Sequence, residues 1–158
     1  MQGVSWFVRR AISYSTIVLH VKEYADDSEH VHIDIEQVSS FATTNEERTL
    51  DWQFRDHDDR IFGKVRGKTR FVKLGDLDDE FLKTGWDPKW VEESGGEAVE
   101  AFVESVGKEP MWTADQVWGF AVVGKGEGEG RRYVRHVVAR KGEEVHRIKM
   151  VYDWTPKA

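Results

Sequence analysis

The chain has 158 residues, of which 39% are apolar, 12% aromatic and 33% charged, with both signs interspersed and a formal net charge of −6. That length suits one domain over 1–158 with a sizeable core, and the lack of a concentrated basic face argues against nucleic acid as a partner. There is no cysteine, which excludes disulfides, thiolate nucleophiles and cysteine-based metal sites.

Met1 to Ser13 places Trp6, Phe7, Arg10 and Ala11 at helical spacings and predicts a short helix. The segment is too short and too charged for a signal peptide, and no apolar run approaches the ~20 residues that span a bilayer. A cytoplasmic protein without membrane insertion is expected. Period two then takes over. Ile17, Leu19 and Val21 alternate with polar or exposed positions, Ala25 to Ser28 reads as a turn, and Val31, Ile33 and Ile35 alternate with His32, Asp34 and Glu36. The two runs predict a hairpin. Arg48 to Asp56 alternates again, with Leu50, Trp52 and Phe54 on one side. A turn at Asp58-Asp59 leads into a long strand from Arg60 to Leu74, in which Gly63 and Gly67 suggest a bend.

The pattern breaks near 76–90. Asp76 can start a short helix through Asp79, Glu80, Phe81 and Leu82, and Gly85, Pro88 and Gly95-Gly96 mark a loop. Strands resume at 98–106, 112–123, 131–140 and 145–154, with a flexible linker at Gly124 to Gly130. The expected fold is therefore mainly β: about eight antiparallel strands in up-and-down order, closed into a barrel, with a short N-terminal helix and a small helical insertion.

The register of the last hairpin follows from its turn at Lys141 to Glu144. Arg140 falls opposite Val145, Ala139 opposite His146, Val137 opposite Ile148, Arg135 opposite Met150 and Tyr133 opposite Tyr152. The face holding these last residues is expected to point inward, and the face with Val134, His136, Val138, Arg147 and Lys149 outward to water. Apolar walls with a few placed polar groups suit a small ligand. Trp52, Phe54 and Trp118 are candidate walls. Met150 lines the same face. Arg135, Tyr133 and Tyr152 could hold a carboxylate, enolate or phenolate. The structural alternative for Arg135 is an internal ion pair with an acid, and for the aromatics plain core packing.

Gln2-Gly3-Val4 with Arg9-Arg10-Ala11, Thr44 to Thr49 with Phe62-Gly63-Lys64-Val65, and Arg147 with Val151-Tyr152-Asp153-Trp154 resemble segments of the calycin superfamily. The likeness is to intracellular fatty-acid-binding proteins and lipocalin-like proteins, and the whole chain is similar to fungal lipocalin-like proteins. The resemblance implies a ligand cavity, a helical lid and no cofactor. Members often place an arginine two residues before a tyrosine of the last strand; Met150 stands there, and its cross-strand neighbour Arg135 could replace it. The family's first strand would precede Gln2, so the expected barrel has an open edge, which a second copy in a homodimer could cover.

No metal site is expected. His30 and His32 share a strand face without a third ligand, and His57-Asp58-Asp59 reads as turn chemistry. Binding of a small hydrophobic or aromatic molecule with an acidic or phenolic end is the first functional expectation. The alternative is a cofactor-independent cyclase or isomerase acting on a polyketide- or terpenoid-type biosynthetic intermediate. In that case Arg135 would stabilise developing oxyanion charge, and His146 or Tyr152 would transfer a proton.

Overall fold

The computed structural model describes residues 16–59, 62–107, 109 and 111–156. The helix expected over 1–13 lies outside the described residues. Nine strands form two antiparallel sheets. The first holds β1 (Val18–Ala25), β2 (Val31–Val38) and β3 (Thr43–Thr49) in sequential order. The second holds β4 (Arg55–Asp59), β5 (Gly63–Lys73), β6 (Glu97–Ser105), β7 (Trp112–Val123), β8 (Gly130–Lys141) and β9 (Glu144–Tyr152), also sequential. Each neighbour pair is antiparallel, as short connections require.

The closed eight-stranded barrel is corrected. Among the described residues no ladder joins β3 to β4 or β9 to β1. The strand expected over Arg48 to Asp56 is broken in two. At Leu50 to Phe54 the chain leaves the first sheet, with Trp52 at φ 58° and its amide donating to the Thr69 carbonyl at 2.9 Å. Asp51 clamps this crossing by a two-point ion pair to Arg55 (2.7 and 2.8 Å), which pulls its carboxyl down to about 2. Asp58 and Asp59, expected in a turn, lie in β4.

The last hairpin pairs as its turn predicts, from Arg140 opposite Val145 to Tyr133 opposite Tyr152. The prediction for the other face fails. Val134, Val138 and His136 are buried rather than wetted, because the insertion covers them. It consists of a 3-10 turn and two short helices, α1 (Glu80–Lys83) and α2 (Pro88–Glu93). The second helix falls where a loop is expected. Asp79 and Asp87 cap the two helices, accepting from the Phe81 and Lys89 amides, and Pro88 opens α2. Leu82, Trp86 and Leu77 pack with Val72, Ala98, Val117 and Val134 to form the main apolar cluster.

His136 lies between the Phe81 ring (4.8 Å) and the Trp86 ring (4.1 Å), with Nδ1 2.8 Å from the Phe81 carbonyl. Burial pushes this histidine's pKa down. A carbonyl only accepts, so Nδ1 carries a proton. Gly119 lies beneath the indoles of Trp86 and, from α2, Trp90. A Cβ there would come within 2.4 Å of the Trp90 ring.

Candidate functional site between the sheets

The opposite face of the six-stranded sheet points toward β1–β3. Ile33 and Ile35 of β2 pack on Ala101 of β6 and Trp118 of β7, joined by Leu19, Leu50, Val99 and Tyr133. A second cluster, Val65, Trp112, Ala114 and Val137 with Phe62, lies further along the same face. Cross-strand rows explain the space beside them. One runs Arg55, Gly67, Val103, Ala114, Ala139; the next runs Thr69, Ala101, Gln116, Val137. These rows are built largely from small side chains, so the sheets cannot fill the gap, and a cavity of about 460 Å³ opens there. Val65, Val103, Trp112 and Ala114 supply its apolar wall. Asn45 of β3, Gln53 of the connection, and Arg55 and His57 of β4 line its other side.

Arg48 is the charged group that ties the two sheets across this space. It belongs to β3, yet its Nη1 donates to Thr69 Oγ1 (3.3 Å) and its guanidinium lies 5.2 Å from the Trp118 ring. Its Nε and Nη2 donate to Glu46 Oε2 at 3.1 and 2.7 Å.

Five of the seven expected ligand-binding residues come together on the other flank of Trp118. Arg135 is 7% exposed, with its guanidinium 4.2 Å from the Trp118 ring and 5.6 Å from those of Tyr133 and Tyr152. Its Nε donates to Tyr133 Oη at 2.9 Å, and its Nη2 is buried without a partner. The Tyr152 hydroxyl donates to Met150 Sδ at 3.8 Å. Burial pushes the Tyr133 pKa up, against the pull of Arg135. The internal acid considered for Arg135 is not found among the described residues.

Trp52 and Phe54 are placed differently from expectation. They turn to the outer face of β5, where Lys68 and Arg70 each approach the Trp52 ring at 4.1 Å and Arg66 approaches Phe54 at 4.6 Å. Alternation holds for them, but the break at Trp52 reverses which side faces in. His146 shares the inner face by register, yet it lies at the turn end of the edge strand β9, where its side chain is 55% exposed, 3.7 Å from Glu144. Sequence reading also missed Arg48, Thr69, Gln116, Trp112 and His57. The His57 signal was visible as alternation with Asp59 and was absorbed by the expected turn.

A second, polar hollow lies on the outer face among Arg70, Asp79, Glu100, Asp115 and Arg140. Burial and the nearby Glu100 push Asp115 up to about 6. Among the described residues no group of three or more acidic, histidine or cysteine residues is placed to hold a metal, and no helix is long and apolar enough to cross a membrane.

Two proteins resemble the chain along nearly all its length. A probable pericyclase, scpY, of Mollisia scopiformis is 27% identical over 97% of this chain and 78% of its own. The pericyclase pydY of an Acremonium species is 26% identical over 98% of this chain and 80% of its own. No family model matches the chain, and no solved structure matches it significantly.

Proposed function

We propose that this protein is a cofactor-independent pericyclase-type cyclase that folds a flexible, polyunsaturated small molecule between its two sheets. The observation that carries the reading is the cavity, whose apolar wall of Phe62, Val65, Val103, Trp112 and Ala114 is completed on its other sides by polar and charged residues, in a chain whose similarity to two pericyclases extends over nearly its whole length. A pericyclic closure exchanges π bonds for σ bonds within one molecule. Atoms are conserved, and neither a proton acceptor nor a redox partner is required. What the protein must supply is a shaped, dry space that holds the reacting ends in contact, together with donors aimed at developing charge.

On this reading the sheets form a calycin-like barrel open at two seams, and the β3–β4 seam admits the substrate. Trp112 provides a flat wall. Arg135, Tyr133 and Tyr152 stand apart from this cavity, across Trp118, and there a guanidinium nine-tenths buried without a carboxylate is completed by an acidic or phenolic end that reaches past that ring. His146 has no step to perform, which fits its exposure.

The test is incubation with a synthetic linear polyene carrying a terminal electron-poor alkene. Turnover yields a product of unchanged mass, shifted retention and a single dominant stereoisomer. If saturating protein binds the polyene but leaves the rate and isomer ratio of the spontaneous reaction unaltered, the protein is a carrier. The buried Arg135 favours that second reading, since an anion anchor serves transport equally well.

A further inference from the structure

We infer that Gln116 is the catalytic hydrogen-bond donor of the cavity, with its amide N–H₂ held toward a substrate carbonyl by the indole N–H of Trp118. Trp118 Nε1 lies 3.1 Å from Gln116 Oε1. An indole nitrogen only donates, so the amide oxygen must face it and the amide nitrogen must face away. Gln116 lines the cavity, and among the described residues no protein group accepts from its N–H₂. Its cross-strand neighbours, Ala101 and Val137, have no side-chain polar atoms to compete for it. Of the other donors lining the cavity, Arg55 is held by Asp51, and Asn45, Gln53 and His57 belong to β3, β4 and the connection between them rather than to the centre of the six-stranded sheet. Arg48 is held by Glu46 and Thr69, and Arg135 is not among the residues lining the cavity.

A neutral, orientation-locked donor suits one kind of substrate: a polyene whose reacting alkene is conjugated to a carbonyl. A hydrogen bond to that oxygen draws electron density out of the alkene and strengthens as negative charge gathers on the oxygen in the transition state. No proton is transferred. The inference rests on the cyclase reading for its reaction and adds the electronic character of the substrate. Trp118 acts as a positioning residue through Gln116.

The test uses para-dimethylaminobenzylideneacetone, an enone whose visible absorption moves to longer wavelength when its carbonyl accepts a hydrogen bond. Bound to the parent protein it shows a red shift relative to apolar solvent. Gln116→Leu abolishes most of the shift while affinity changes by about threefold or less. Trp118→Phe, which keeps a ring but not the N–H, gives an intermediate shift. Polyene closure by Gln116→Leu falls about tenfold in kcat with KM little changed, the size of one neutral hydrogen bond. Gln116→Met serves as a second variant, with circular dichroism confirming the fold of each. An unshifted spectrum with the parent protein, a full shift retained in Gln116→Leu, or a shift lost in Arg48→Met but not in Gln116→Leu would overturn the assignment. A Gln116-dependent shift without any ring closure sinks the cyclase reading and leaves the donor standing. Ring closure unchanged in Gln116→Leu does the reverse.

Discussion

The two faces of the six-stranded sheet come from the same strands and alternate residue by residue, yet they have opposite fates. The outer face is capped by the insertion, which lays Leu82 and Trp86 on Val117, Val134 and Val138 and traps His136 between two rings. The inner face meets a sheet of only three strands and keeps a void beside Ala114 and Gln116. Stability and site are thereby separated by the thickness of one sheet. Trp118 belongs to the inner face, and its neighbour Gly119 lies under the indoles of the outer one.

Damage to the outer face should therefore show in melting before it shows in binding. Trp86→Ala removes a buried ring and should cost about 3–5 kcal/mol, read by urea unfolding. Gly119→Ala should cost about 1–3 kcal/mol through overpacking against Trp90, in a region where alanine is ordinarily harmless. If Gly119→Ala melts like the parent, Trp90 gives way to the added methyl and the outer face is not tightly packed there.

Asp115 sharpens the comparison through pH. Its carboxyl titrates near 6 in the folded chain against 3.8 unfolded, so folding favours the protonated form. That stabilisation is complete below 3.8 and is lost as pH rises through 6. Asp115→Asn should accordingly be more stable than the parent by roughly 1–2 kcal/mol at pH 8, with the gain vanishing toward pH 4. Thermal melts across that range check it, and a gain that grows on acidification would reverse the assignment.

The smallest stability effect is expected on the inner face. Ala114→Leu grows into existing space and should change unfolding free energy by less than about 1 kcal/mol, while enone binding is lost. Equal losses of stability and binding would mean that the void is not a ligand space.

The sequence made much of the fold legible. Alternation and a tight turn suffice to place Arg135 opposite Met150, because side-chain period and loop length set the register together. The short helix around Glu80 to Leu82 was legible from its capping acid, but nothing local tells which sheet face so short an insertion covers, so the face of His136 was assigned to water. Trp52 and Phe54 alternate like strand residues, but a single backbone turn at Trp52 decides which side they take. Gln116 was hidden for another reason. Its orientation depends on the indole two residues on, and its value depends on a void shaped by strands distant in sequence.

The seam between β3 and β4 has a consequence for how the molecule behaves among its own copies. Among the described residues each is the terminal strand of its sheet, the position from which a sheet edge can template another chain. β4 reads Arg-Asp-His-Asp-Asp, and β3 carries Glu46, Glu47 and Arg48. Such crowded charge resists pairing with a neighbouring strand. The same residues that line the cavity on this side thus act as gatekeepers against self-assembly, and neutralising the charges of β4 should favour edge-to-edge association.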